Sequence, residues 1–324
     1  MRALITGANG FLGAHLAREL VQNAERVRCL VRRSSDLSQL AGLPVELMYG
    51  DVVAPDSLPA AVKECDVVFH LAGIRRAPSR ELFWQVNAEG TRHLCQAMAN
   101  SGRGRLVLCS SLAACGPSAP GRPHTEDDPF RPAEWYGESK AEAERIAKSF
   151  ASQLEVSVAR PPRIVGPGDR ENLIFFKLVQ RGVKLSIGGG PRPLSMVDVD
   201  DAAAFLMELG RRAKATGEAF FVAGPETTTV EGIQEQAAQH LGVKTRTLQI
   251  PPTVLRGLAT AADGFSRLSG KYLPLNRKLA EQLLAPAWTC SAEKARARLG
   301  FEAKRTIADS IRRSAEWYRA NGWL

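Results

Sequence analysis

The stretch Tyr136-Gly137-Glu138-Ser139-Lys140 sets a phenol and an ammonium four residues apart, so on a helix they share one face. A cation beside a tyrosine favours the phenolate and lowers the phenol pKa. That makes the pair a candidate acid/base for an alcohol or a carbonyl near neutral pH. The chain has four tyrosines, and only Tyr136 has a lysine four residues on. The spacing alone also suits an ordinary solvated helix surface, so the elements around it decide what it means.

A cofactor for such a pair is foreshadowed at the N-terminus. Thr6-Gly7-Ala8-Asn9-Gly10-Phe11-Leu12-Gly13 follows a short apolar strand and opens a helix with Leu12, Leu16, Leu20 and Val21 on one face. Gly7 allows the tight turn, Gly10 lets backbone approach a pyrophosphate, and Gly13 permits close packing of helix on strand. Phosphates would then sit at the helix N-terminus, where free N–H groups and the macrodipole favour negative charge. At the end of the second strand an acid would hold the ribose 2′-hydroxyl of NAD. This chain instead reads Arg32-Arg33-Ser34-Ser35, with no carboxylate until Asp36. Two guanidiniums suit a 2′-phosphate, so NADP is expected, with NAD as the alternative.

The elements that must position these groups follow an alternating pattern. Strands are expected at residues 2–6, 26–31, 45–49, 67–71, 105–109 and 155–159, and helices at 11–23, 58–63, 83–101 and 136–153. Such alternation is the mark of a parallel α/β sheet, and the unbroken apolar run at 67–71 suits a strand buried on both faces. Beyond residue 160 the rhythm changes, with Pro161, Pro162, Pro167, Gly168, Gly188, Gly189, Gly190, Pro191 and Pro193 marking loops and shorter elements. A last strand is expected near 220–223. A helix is expected at 254–268, with Val254, Leu258, Ala261, Phe265 and Leu268 in register. Residues 307–323 form a basic amphipathic helix carrying Arg312, Arg313, Arg319, Trp317 and Trp323, expected to pack on the C-terminal lobe.

Composition narrows the class. The chain has 324 residues, 44% hydrophobic and 24% charged, as a globular protein with a large core would. Cys29, Cys65, Cys95, Cys109, Cys115 and Cys290 are scattered, with no CxxC and no cysteine–histidine cluster. That argues against a zinc site or a disulfide framework. The net charge is +9 without any lysine- or arginine-rich block, which suits a polyanionic cofactor better than nucleic acid. No apolar run approaches the roughly 20 residues of a membrane span, and the N-terminus enters a strand at once. The expectation is a soluble, cytoplasmic chain.

Together these residues resemble the extended short-chain dehydrogenase/reductase family, of the NAD-dependent epimerase/dehydratase type. The matching segments are the TGxxGxxG loop, Gly50-Asp51-Val52, His70-Leu71-Ala72-Gly73, Val86-Asn87-Ala88-Glu89-Gly90-Thr91, Ser110-Ser111, Tyr136-xxx-Lys140 and Arg160-Pro161-Pro162-Arg163-Ile164-Val165-Gly166-Pro167-Gly168. The resemblance implies a Rossmann doubly wound parallel sheet with a smaller C-terminal lobe. Residues 1–168 would bind NADP, a strand near 219–224 would return to the sheet, and residues 169–324 would mainly form a substrate-binding cap. It implies Tyr136 as acid/base, Lys140 as holder of the nicotinamide ribose, and Ser111, rather than Ser110, as a hydrogen-bond donor to the substrate oxygen. Ser111 is chosen because family members place that hydroxyl five residues before the glycine matching Gly116. The cofactor groove would draw on Gly7, Asn9, Gly10, Phe11, Leu12, Gly13, Arg32, Arg33, Ser34, Asp51, Val52, Leu71, Ala72, Gly73, Asn87, Ser110, Pro161 and Arg163. Family members are often dimers through their two long helices.

Sugar-nucleotide members often carry an asparagine where this chain has Arg163, and dehydratases place acids after the catalytic serine/threonine pair. Here that stretch is Leu112-Ala113-Ala114-Cys115. Both departures resemble dihydroflavonol reductases and 3β-hydroxysteroid dehydrogenases more closely. The expected reaction is hydride transfer between nicotinamide and a secondary alcohol or ketone of a moderately apolar, steroid- or flavonoid-like molecule. Sugar-nucleotide epimerisation and a non-catalytic NADP-binding role are the alternatives.

Overall fold

In a computed structural model, all residues are described except 103, 213–214, 270–272 and 274, with backbone only at 267 and 268. Seven strands form one all-parallel sheet: β1 (Arg2–Thr6), β2 (Arg26–Val31), β3 (Glu46–Tyr49), β4 (Val67–His70), β5 (Arg105–Cys109), β6 (Glu155–Arg160) and, after three strands of the smaller sheets, β10 (Ala219–Phe221). Their spatial order is β10-β6-β5-β4-β1-β2-β3. The order reverses between β1 and β4, where Thr6 stands beside His70. That switch point is where doubly wound sheets take ligands.

Alternate residues of each strand point to opposite faces, and both faces are covered. Ala3, Ile5, Phe69 and Val107 pack on one side, while Leu4, Val68, Leu106 and Leu108 pack on the other. The first side is closed by α1 (Phe11–Gln22) and α7 (Val199–Arg211). The second is closed by α2 (Leu58–Val62), α4 (Gly90–Ser101) and α5 (Trp135–Ser149). All six cysteines are buried and unpaired, and burial pushes the Cys29 and Cys95 thiols up to about 12.

Two stretches depart from the sequence pattern. The helix expected at 83–101 is a short α3 (Arg80–Phe83), a π turn at Trp84–Glu89 and then α4. The wide turn carries Asn87, in keeping with the habit of π turns to appear at functional sites. Helix α7, hidden among the loops expected after residue 160, returns to the large sheet. Its start is written in Asp198, whose carboxylate accepts from Asp200 N–H at 2.9 Å and caps the helix.

The rest of the chain forms a smaller body. It contains the strands β7 (Arg163–Val165), β8 (Val183–Ile187), β9 (Leu194–Asp198), β11 (Thr227–Thr228) and β12 (Arg246–Ile250). These make one sheet ordered β11-β9-β7 and a parallel pair β12-β8. Helices α6 (Leu173–Gln180), α8 (Val230–Leu241), α9 (Pro252–Ser269), α10 (Arg277–Leu284), α11 (Glu293–Leu299) and α12 (Ile307–Ala320) complete the chain. The basic tail helix α12 turns inward. Arg313 pairs with Asp198 and Asp200, and Tyr318 stacks on Trp323 at 5.8 Å. In α9 the buried residues are Leu255 and Ala259, whereas Val254, Leu258 and Phe265 are 49%, 54% and 53% exposed. The expected stripe is therefore the outer face, and its last member, the Leu268 side chain, lies outside the described residues.

Candidate active site

The glycine loop joins β1 to α1 at the switch point. Gly7 has φ +74°, and a Cβ there would lie 2.7 Å from Ala72 N, so backbone meets backbone with no room for a side chain. A Cβ on Gly13 would lie closer still, 2.2 Å from the Gly7 carbonyl oxygen. The α1 N-terminus begins at Gly10 in extended backbone, with no side-chain cap and no acid in the first turn. An uncapped, acid-free helix start of this kind suits a phosphate. Asn9, Phe11 and Leu12 are part-buried around it, with Phe11 edge-on to His15 at 5.7 Å.

Beyond β2, residues 32–35 form a turn closed by Ser35 N–H to the Arg32 carbonyl at 3.0 Å. Arg32, Arg33 and Ser34 are exposed, and Arg33 lies over the Tyr49 ring at 5.1 Å. Among the described residues neither arginine has an ion-pair partner. The first acid, Asp36, accepts from Ser38 N–H at 2.9 Å and is turned into its own helical turn. Asp51 binds Val53 N–H at 3.2 Å through one oxygen, and Val52 is buried against Gly90. These groups fit a nicotinamide dinucleotide.

Under the loop runs a chain of buried hydrogen bonds whose donors sort in one way. Thr91 Oγ1 donates to the Asn87 carbonyl at 2.6 Å, so it can only accept from His70 Nε2, at 3.0 Å. The neutral ring then accepts at Nδ1 from Thr6 Oγ1, 2.7 Å away, and Thr6 accepts from Ala72 N–H at 3.2 Å. Burial, reinforced by the Lys140 charge, pushes the His70 pKa down to about 3. The Asn87 side chain continues the chain: it donates to Ser139 Oγ at 2.9 Å and to the Ile74 carbonyl at 3.0 Å, and accepts from Ile74 N–H at 2.8 Å. Its amide is thus occupied by protein, and it fixes the turn of Leu71, Ala72 and Gly73 against α5.

Helix α5 brings the catalytic candidates together. Glu134 caps it, accepting from Tyr136 N–H at 2.6 Å and Gly137 N–H at 2.7 Å. Burial raises the Glu134 pKa against the pull of those N–H groups, Arg75 and Lys278. A Cβ on Gly137 would lie 2.3 Å from the Ala113 carbonyl. The absent side chain lets α5 touch the short 3-10 helix Leu112–Ala114, which Ser111 caps. Ser111 Oγ accepts from Ala113 N–H at 3.1 Å, which leaves its own proton available. Leu112 N–H donates to the Pro161 carbonyl at 3.0 Å, so Pro161 holds this segment through its backbone. Lys140 is 5% exposed and donates to the Cys109 carbonyl at 2.7 Å, at the end of β5. A Cβ on Gly73 would lie 3.6 Å from its Nζ. Tyr136 is part-buried, with Phe83 tilted against its ring at 6.4 Å and the Arg75 guanidinium 5.7 Å from its centre.

Ser110 is placed differently. It is buried and donates to Glu144, which also pairs with Arg160 at 2.8 Å. Its hydroxyl belongs to the buried support of β5 and β6. Arg163 sits on β7, donating to Asn172 Oδ1 at 2.7 Å and lying over Phe175 at 5.8 Å. The sequence reading passed over Arg75, Glu134, Glu144 and Asn172, and named Thr6 and Gly137 only as members of their motifs. Only Glu134 carried a local signal, as an acid just before a helix start.

Comparison with known proteins agrees with this arrangement. The model of the NAD dependent epimerase/dehydratase family matches residues 3–223. The ceramide reductase of Caulobacter vibrioides is 32% identical over 320 residues, 99% of this chain and 95% of that protein. Sterol demethylase protein B of Methylococcus capsulatus is 31% identical over 338 residues, all of both chains. The crystal structure of gox2253 superposes with a TM-score of 0.85 at 28% identity, covering 99% of each chain. With the glycine loop, the switch point and the Tyr136–Lys140 helix in place, this chain belongs to the NAD-dependent epimerase/dehydratase family, the extended short-chain dehydrogenases/reductases.

Proposed function

We propose that this protein is an NADP(H)-dependent oxidoreductase acting on the secondary alcohol or ketone of a moderately apolar molecule, of steroid- or flavonoid-like size. The observation that supports the reading is that the segments carrying Ser111, Tyr136 and Lys140 meet. Gly137 against Ala113 brings the first two segments into contact, and Lys140 reaches the end of β5. When bound, the nicotinamide supplies a hydride to the carbonyl carbon or removes one from the carbinol. In reduction, the Tyr136 hydroxyl gives its proton to the ketone oxygen as the carbon–oxygen π bond opens, forming one C–H and one O–H bond. In oxidation, the Tyr136 phenolate takes that proton back. Ser111, with its proton free, donates to the same oxygen and orients it. Lys140 spends one donor on the Cys109 carbonyl and keeps two for the ribose hydroxyls.

The glycine loop and the α1 N-terminus would hold the pyrophosphate, Arg32, Arg33 and Ser34 the 2′-phosphate, and Asp51 with Val52 the adenine. The wall after Ser111 consists of buried Leu112, Ala113, Ala114 and Cys115, with no acid or base to eliminate a sugar hydroxyl. The names of the ceramide and sterol relatives favour a lipid-like substrate over a sugar nucleotide. Oxidation of NADPH by a panel of cyclic and long-chain ketones is the test. Isomerisation of a UDP-sugar with no net change in cofactor would overturn the reading, and equal catalytic efficiency with NADH would overturn the NADP assignment.

A further inference from the structure

His15 lies on α1, one turn beyond Phe11 and the uncapped helix start. Its side chain is 10% exposed, and both ring nitrogens face acceptors. Nδ1 is 2.6 Å from an Asp200 carboxylate oxygen on α7, and Nε2 is 3.0 Å from the Pro167 carbonyl in the loop between β7 and α6. A neutral ring has one N–H and satisfies only one of these, leaving a lone pair against the other oxygen. Asp200 does not supply the missing proton. Burial raises its pKa, but hydrogen bonds and charge from His15 and Arg313 outweigh burial and hold the carboxyl well below the usual carboxylate range. The geometry therefore requires a proton on each ring nitrogen, an imidazolium.

The charges around the ring agree. Asp198, Asp200 and Asp201 stand at the start of α7. Among the described residues they pair with two guanidiniums, Arg313 of α12, 2.9 Å from Asp198, and Arg305 just before α12, 2.7 Å from Asp201. Three carboxylates against two guanidiniums leave one negative charge, which His15 balances. On α1 itself Arg18 is turned to the Gln39 carbonyl at 3.0 Å, and Glu19 to Asn23. In the loop after β7, the Asp169 side chain accepts from Glu171 N–H at 2.7 Å, and Arg170 lies over Trp323. That loop also lies against the helix start. A Cβ on Gly168 would be 3.9 Å from the Phe11 ring and 3.8 Å from Gln39 Oε1. Phe11 is thus flanked by the His15 ring and the loop, and its N–H is one of the free donors that open α1.

We propose that His15 is a positioning residue for the cofactor: its imidazolium clips the Pro167 loop and the start of α7 to α1, and NADPH binds more tightly to the protein with His15 charged than with His15 neutral. Loss of the proton leaves one nitrogen facing an oxygen with no hydrogen between them. Either Pro167 or Asp200 is then released, and the support beside Phe11 loosens. A positive charge one turn inside α1 also adds to the field at the helix start, where the pyrophosphate would lie. Affinity therefore falls as pH rises through the titration of the ring, and NADPH binding draws a proton onto the protein in return. The inference rests on the cofactor lying at the α1 N-terminus, as read above.

The test begins with the ring. In the full chain carrying nitrogen-15 histidine and saturated with NADPH, long-range proton–nitrogen spectra at about pH 7 should show both His15 nitrogens protonated. The signal is assigned by its contact with the Phe11 ring protons, and a neutral ring overturns the clip. NADPH affinity, followed by its fluorescence between about pH 6 and pH 9, should fall about fivefold or more as the ring titrates, the effect of roughly one hydrogen bond. Calorimetry in buffers of different ionisation enthalpy should show proton uptake on binding. In His15→Gln the pH dependence should shrink below about twofold and the uptake should be lost. The 2′-phosphate titrates alike in both proteins, so the difference between them belongs to His15. Affinity that stays level while the ring titrates overturns the clip, as does a pH dependence that survives the substitution. If urea stability follows the ring and NADPH affinity does not, His15 is a structural brace and the proposal falls. Should His15→Gln not fold, the ring signal and the affinity must share one midpoint in the unmodified protein. Failure to bind either NADPH or NADH removes the cofactor reading and the clip together, whereas binding without proton linkage removes the clip alone.

Discussion

The body built on β1 to β6 and the body built on β8, β12, α9 and α10 treat their polar and apolar groups by opposite rules. In the first, the buried polar side chains around the site are matched, and among the described residues only Ser157 Oγ on β6 is left without a partner. His70 lies between two threonines, Asn87 spends its whole amide on protein, and Glu144 pairs with Arg160. In the second, apolar side chains of α9 face outward, and the ion pairs, such as Arg256 with Glu281, lie on the surface. Proton transfer needs groups held within a fraction of an ångström, which only a closed, satisfied network supplies. Recognition of a ligand needs surface left incomplete until the ligand arrives.

The largest expected effect is at the first body's centre. Tyr136→Phe should lower kcat by about 10³-fold on any ketone the unmodified enzyme reduces, while NADPH still binds. Steady-state rates with parallel fluorescence titration check this, and unchanged turnover would remove the acid/base assignment. Next comes the buried pair: Arg160→Met strands the Glu144 carboxylate and should cost about 3–5 kcal/mol in urea unfolding. A loss under 1 kcal/mol would mean the contrast between the two bodies is false.

Replacing Arg32 and Arg33 together by alanine should reduce the preference for NADPH over NADH by roughly 10²-fold, judged from kcat/KM with each cofactor. His70 provides a pH signature. Its ring binds a proton in the unfolded chain below the ordinary histidine value of 6.5, but in the folded chain only near 3, so the unfolded state holds more protons between those values. Stability therefore falls as pH drops below about 6.5, by at most about 1.4 kcal/mol per pH unit from this group. His70→Asn should flatten that slope in unfolding measured from pH 7 to pH 4. The smallest effects belong to the second body. Arg256→Ala and Leu258→Ser should each shift stability by less than about 0.5 kcal/mol, and a larger loss from Leu258→Ser would show its outer face to be covered.

Much of the large sheet could be read in advance, because its strands are short apolar runs and its helices repeat at 3.6 residues. The strands near 2–6, 26–31 and 105–109 lie where the pattern set them. Helix α7 escaped notice because its apolar face meets a sheet far away in sequence, among segments broken by proline and glycine. The stripe of α9 was legible, but its outward direction was not: periodicity shows that a helix has an apolar side, but not whether that side is buried. At the site, the glycine loop, Tyr136 and Lys140 were legible as local motifs, and Ser111 through the family resemblance. Arg75, Glu134 and Asn172 were not, since their meaning lies in partners contributed by other elements.

By itself the sequence determined the parallel sheet, the phosphate-ready turn and the Tyr136–Lys140 pair, because each depends on residues within one turn or one strand. Tertiary structure alone decided which hydroxyl of Ser110 and Ser111 keeps a free proton, how the His70 ring is held neutral, and which guanidiniums remain without a counter-charge. Those are questions of pairing across the fold. A charge or a proton is spent or left available by whatever neighbour the fold brings to it.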